Sequence, residues 1–244
     1  MEFHSLGNRV QEILSNAMKE GRRALLEPEA ERVCASYGIP VADSHVTKTV
    51  EEASRKAEEL GFPVVLKIMS PDIVHKTEVG GVSAGIKDQN ELREGFGKIV
   101  ANTRNRMPKA TIVGVLVQHM IPEGVEVMVG GLRDPQFGPA LTFGMGGIFS
   151  EIFKDATFSL APIEESDAYY MIRSIKAYPI LGGYRNVPKA DESAIVDILL
   201  KASLMISQRW EIDQMDLNPI IVRQQGATAV DARILLRSEN VEDD

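Results

Sequence analysis

Residues 62–85, FPVVLKIMSPDIVHKTEVGGVSAG, constrain this chain more than any other stretch. The apolar run Val64-Val65-Leu66 reads as a buried strand, and it delivers a lysine, Lys67. A polar loop follows, with His75 between Asp72 and Lys76, and Gly80-Gly81 then lead into a second strand-like run. A buried strand ending in lysine aims a fixed positive charge at a phosphate. An imidazole in an exposed loop beside it is a candidate nucleophile for that phosphate. Read together, the two point to phosphoryl transfer. Each also has a plainer reading: a strand-end lysine can snorkel to solvent, and a loop histidine can simply be solvated.

The surroundings alternate between periods of two and of 3.6. Residues 7–20 read as a helix with Val10, Ile13, Leu14, Ala17 and Met18 on one stripe. Residues 27–37 read as a second helix, with Pro28 in the first turn and Gly38 as the stop. Thr49 with Glu52 forms a capping box for a helix to Leu60, and Asp88 with Glu91 caps another carrying Leu92, Phe96, Ile99 and Val100. Strands are expected over 62–69, 82–87 and 112–118, making a compact α/β subdomain. Asp191 opens a long helix with Ile195, Leu199, Ala202 and Ile206 at helical spacing, and the chain ends in a hairpin.

Composition narrows the function. A net charge of -8 over 244 residues argues against nucleic acid but not against a nucleotide, which needs only a local basic site. The single Cys34 cannot form an internal disulfide. It reads as a buried, inert thiol in a protein of a reducing, cytoplasmic compartment. No apolar run is long enough for a bilayer, and the first residues lack the core of a signal peptide, so no membrane association is expected.

The terminal hairpin holds the metal candidate. A turn at Gln224-Gln225-Gly226 with Arg223 facing Gly226 brings Asn218 opposite Asp231. Asp216, two residues from Asn218, shares that face, whereas Asp213 points away. Three oxygen ligands on one face suit Mg²⁺, which keeps its other positions for water and phosphate oxygens. The polar outer face of an edge hairpin is the other reading. Residues 144–147, GMGG, form a turn whose glycines let backbone approach a ligand, without the Gly-Lys-Ser/Thr of a Walker A loop. In QHMIPEGVE, 118–126, a linker between two strands presents Gln118 and Glu126.

Taken in order, LLEPEAERVCASYGIPV, FPVVLKIMSPDIVHKTEVGGV, QHMIPEGVEVMVGGLRDPQFGPALTFGMGGIFSE and DLNP followed by VDAR resemble the nucleotide-binding β subunit of the ADP-forming acyl-CoA synthetases, the acetate–CoA ligases (ADP-forming). The resemblance implies an α/β (α+β) chain with the ATP-grasp fold, its nucleotide cleft between two subdomains. Expected boundaries are N-terminal helices over 1–39 packing on the C-terminal subdomain, subdomain A over 40–115 with Lys67 and the His75 loop, subdomain B over 116–238 with the metal site, and a frayed tail over 239–244. It also implies roles. Lys67 matches the lysine on the ATP phosphates, Gln118 lies in the adenine hinge, and Glu126, Gly146 and Gly147 line the nucleotide pocket. Asp216, Asn218 and Asp231 match the Mg²⁺ ligands, and His75 matches the transiently phosphorylated histidine. The implied reaction is acyl-CoA + ADP + phosphate ⇌ carboxylic acid + CoA + ATP. No glycine-rich CoA-binding domain is present in these residues, so a CoA-binding α subunit is the implied partner, in an α2β2 heterotetramer. A carboxylate–amine ligase of the same fold, or a non-catalytic nucleotide-sensing subunit, would share the fold but need no phosphohistidine.

Overall fold

The structure, a computed structural model, describes residues 2–73, 75–147, 155–185 and 187–237. It divides into two compact units, Ala42–Ile121 and a larger one made of Met1–Val41 with Pro122–Asp244. The expected tail over 239–244 lies outside the described residues.

The larger unit begins with α1 (Glu2–Lys19) and α2 (Glu27–Ser36). Val10, Leu14 and Ala17 of α1 and Ala30 and Val33 of α2 join its core. The Glu29 carboxylate accepts the Leu26 N–H at the start of α2, and Gly38, at φ 77°, ends it. Cys34 of α2 is fully buried, and that burial, with the charge of Glu31, pushes its thiol up to about 12. The thiol is therefore inert, as expected.

The smaller unit runs β1 (Ser44–Thr47), α3 (Val50–Leu60), β2 (Val64–Met69), β3 (Val82–Ile86), α4 (Gln89–Arg106) and β4 (Gly114–His119). Both expected helix caps form. The Thr49 hydroxyl accepts the Glu52 N–H, and the Asp88 carboxylate accepts those of Asn90 and Glu91. The sheet order is β1-β4-β2-β3, with every neighbour antiparallel. Val64, Leu66 and Ile68 of β2 pack with Ala53 and Ala57 of α3 and Leu92 and Ile99 of α4. The expected boundary after residue 115 falls inside β4. Because β4 pairs along its length with β1 and β2, the whole strand, Gln118 included, belongs to the smaller unit, and the chain leaves it after Ile121.

The larger unit continues with β5 (Val125–Asp134), β6 (Gly138–Met145), β7 (Ala156–Leu160), α5 (Glu165–Ser174), α6 (Tyr178–Leu181), α7 (Glu192–Gln208), β8 (Ile212–Val222), β9 (Ala227–Ala229) and β10 (Ala232–Leu236). Its sheet is ordered β10-β8-β5-β6-β7, with β9 on β8. Val127, Val129, Leu141, Phe143, Met215 and Leu217 bury on one face with Ile195, Leu199, Ala202 and Ile206 of α7. The side chains that alternate with them, Glu126, Met128, Thr142 and Asp216 among them, are half-buried on the other face. Among the described residues no helix is long and apolar enough to cross a membrane.

Candidate functional site

In the smaller unit, strand alternation sets Lys67 apart from its neighbours. Leu66 and Ile68 face the helices, so Lys67 points to the opposite face of the sheet. Val65 pairs with Gln118 and Lys67 with Leu116, which puts Gln118 on that same face, one strand over. Both polar side chains are buried, Lys67 at 7% exposure and Gln118 at 1%.

The histidine loop leaves β2 and returns in β3, and both of its ends are tied. At the outgoing end, the Asp72 carboxylate accepts the Thr111 N–H at 2.7 Å and the Ser70 hydroxyl accepts the Asp72 N–H at 3.1 Å. At the returning end, Asn102 of α4 donates to the Gly80 carbonyl at 3.2 Å and Arg106 donates to the Glu78 carbonyl. Gly81 crosses so close to β2 that a Cβ there would stand 2.4 Å from Ile68 Cγ2, which is why glycine is needed. Ile73 and Val79 pack into the core of the unit, while His75 is exposed. By sequence either Asp72 or Glu78 could orient His75, and one oxygen of the Asp72 carboxylate also fixes the loop to the backbone of Thr111.

In the larger unit, the hairpin forms in the expected register. The Arg223 N–H donates to Gly226, Ile220 pairs with Ala229, the Asn218 N–H donates to the Asp231 carbonyl at 3.3 Å, and Asp216 pairs with Arg233. Asp216 pairs on its other side with Gly130 of β5. The glycine turn closes over the same region. The Gly146 N–H donates to the Glu126 carbonyl at 2.9 Å, and the Gly147 N–H donates to Asn218 Oδ1 at 3.3 Å. Gly147 sits at φ 59°, and a Cβ on it would lie 2.0 Å from Glu126 Oε2. Four separate segments thus bring Glu126, Gly146, Gly147, Asp216, Asn218 and Asp231 into one neighbourhood. Residues 148–151 of the same motif lie outside the described residues.

Burial raises the Asp216 carboxyl above the usual carboxylate range, the charge of Asp231 raises it further, and Arg233 opposes the rise. Two carboxylates and an amide oxygen form a hard, all-oxygen donor set of the kind Mg²⁺ takes. No group of three His, Cys, Asp or Glu side chains suited to a metal exists among the described residues, so Asn218 is needed to complete this set. The sequence reading passed over Arg233. The same hairpin register that faced Asn218 with Asp231 also faces Asp216 with Arg233, and that signal was sufficient to find it. A separate cavity of about 520 Å³ is lined by Tyr169, Arg173, Lys189, Asp191 and Glu192. Its acids are already engaged, Asp191 by the N–H groups of Ala194 and Gly226 and Glu192 by Arg173.

Two units, one with a buried lysine on its sheet and a tied histidine loop, the other with an acidic sheet face under a glycine turn, define a class of nucleotide-dependent ligase: residues 16–236 match the family model of the ATP-grasp domain. The β subunit of ADP-forming acetate–CoA ligase I from Pyrococcus furiosus is 47% identical over 228 residues, covering 93% of this chain and 98% of that subunit. Acetyl-coenzyme A synthetase 1 of Ca. Korarchaeum cryptofilum, solved with coenzyme A and Ca-AMPCP, superposes with a TM-score of 0.92 at 46% identity, over 93% of this chain and 99% of that one. The same synthetase with coenzyme A and Mg-AMPPCP, its phosphohistidine segment pointing towards the nucleotide binding site, gives 0.83 at 44% identity, over 93% and 100% of the two chains. This chain belongs to the ATP-grasp family, among the β subunits of the ADP-forming acetate–CoA ligases.

Proposed function

We propose that this chain is the nucleotide-binding subunit of an ADP-forming acyl-CoA synthetase, catalysing acyl-CoA + ADP + phosphate ⇌ carboxylic acid + CoA + ATP together with a CoA-binding α subunit, as a cytoplasmic α2β2 assembly. The observation that carries this reading is the exposed His75 on a loop tied at both ends, in a chain whose other unit gathers Glu126, Gly147, Asp216, Asn218 and Asp231.

The roles follow from the chemistry of each group. Lys67 neutralises charge on the nucleotide phosphates, Gln118 meets the base, and Glu126, Gly146 and Gly147 shape the nucleotide pocket. Asp216, Asn218 and Asp231 hold Mg²⁺, which when bound neutralises phosphate charge and fixes its geometry. His75 takes the phosphoryl group from a phosphorylated histidine of the partner subunit, its new N–P bond forming as the partner's N–P bond breaks and that imidazole is released. An oxygen of the ADP β-phosphate then attacks that phosphorus, the N–P bond breaks, and the imidazole is released as ATP forms. In the reverse direction, the imidazole attacks the γ-phosphorus of ATP and ADP leaves.

The test uses the chain with its α partner, Mg²⁺ and γ-labelled ATP. Acid-labile label on the protein is expected, along with its complete loss in His75→Ala while Mg–nucleotide affinity stays within about threefold, since the imidazole contributes to transfer rather than to ground-state binding. Labelling retained in the mutant would place the covalent role elsewhere.

A further inference from the structure

Arg233 is half-buried on the same face as the cation ligands, directly across the strand pair from Asp216, yet among the described residues it makes no hydrogen bond and no ion pair. Arg9, Arg23 and Arg223 of this unit also lack a side-chain partner among the described residues but are exposed, whereas Arg133 and Arg173 are engaged. Arg133 donates to the carbonyls of Ile206 and Arg209 at the end of α7, and Arg173 pairs with Glu192. A guanidinium beside a cation site repels the bare metal and costs free energy to bury without a partner. That placement becomes favourable when an anion arrives with the metal, because the planar fork matches two phosphate oxygens at once. The row across the sheet leaves room for such an anion: Arg233, Asp216 and then Gly130, which has no side chain. Asp216, across the strand pair, acts on Arg233 through space without forming an ion pair, which leaves its N–H donors open to an anion.

We propose that Arg233 is a catalytic residue that grips the terminal phosphoryl group of the metal-bound nucleotide through paired N–H donors. The assignment rests on the reading of this face as the Mg–nucleotide site. When the bond between the γ-phosphorus and the bridging oxygen breaks and the N–P bond to imidazole forms, Arg233 holds the equatorial oxygens and stays protonated. It therefore takes no part in the proton balance. Its contacts are to the group that moves, so they separate ATP from ADP, which the carboxylates and Asn218 do not.

Calorimetry on the full chain co-purified with its α partner tests this with two probes, Mg–ADP and the Mg complex of a non-hydrolysable ATP analogue. Arg233→Ala should weaken the ATP analogue about tenfold or more, as loss of a charge-assisted hydrogen-bonded pair does, and ADP less than about threefold. Phosphohistidine formation should slow about 100-fold, the usual cost of one lost transition-state donor. Arg233→Lys should recover part of both, and Arg233→Gln, which keeps the bulk, gives the same readouts if the alanine variant is unstable. Equal weakening of both nucleotides, or of neither, overturns the assignment and leaves Arg233 a counter-charge for Asp216. Wild-type protein that binds neither probe would instead sink the nucleotide reading of this face, and the assignment with it.

Discussion

In the smaller unit the candidate nucleophile stands on a loop whose ends are tied by Asp72 and by Asn102 and Arg106, whereas in the larger unit the candidate ligands stand on paired strands and a glycine turn held to them. The difference matches the roles proposed for the two parts. A metal and a triphosphate need donors fixed to within a fraction of an ångström, and strands supply that better than loops. A group that passes phosphate between two subunits needs an exposed side chain on a segment with defined ends. His75 lies three residues from the Asp72 tether and three from Glu78, whose carbonyl Arg106 holds, so it stands exposed between two fixed points.

The comparison breaks most easily at Gly147. A methyl group there would displace the Glu126 carboxylate from its place beside the turn and would force a side chain into left-handed backbone at φ 59°. Gly147→Ala should cost about 2 kcal/mol or more locally and abolish nucleotide binding by calorimetry, with the smaller unit's amide exchange unchanged. Near-normal affinity would mean that the turn does not shape the pocket.

Asp216 sharpens the comparison through its sign. Its folded-state carboxyl is raised, chiefly by burial and then by Asp231, so its contribution to stability is full below the unfolded value of about 3.9 and is lost as pH rises through the folded value. At neutral pH the charged carboxylate therefore strains the metal-free fold. Asp216→Asn should raise the Tm without metal and shrink the further rise that Mg²⁺–ADP gives the wild type. A lower metal-free Tm in the mutant would contradict the account.

The smallest effect belongs to the loop. Asp72→Ala removes the Thr111 tether and should cost about 1 kcal/mol at this exposed site, seen as faster exchange of the Thr111 amide with nucleotide affinity unchanged. Unchanged exchange would show that the loop is held by other contacts.

Much of this was legible before the structure because the signals were local. Thr49, Asp88 and Asp191 each cap the helix they were read to start, and one turn at Gly226 fixed a register that held as far as Gln214. Other elements were not legible. β1 is four residues with two exposed side chains, and edge strand β7 exposes Phe158 and Leu160, so neither shows a clean period. The pairing of β5 with β8 joins segments far apart in sequence, and only that pairing brings Glu126 and the glycine turn to the hairpin.

The central claim is that His75 is a carrier rather than a bystander, and rapid-quench labelling of the assembled enzyme addresses it most directly. With γ-labelled ATP, the account predicts that label reaches the His75 peptide and is chased by unlabelled ADP back into ATP at least as fast as the enzyme turns over. Label on any other residue, or a His75 pool that discharges more slowly than turnover, would contradict it.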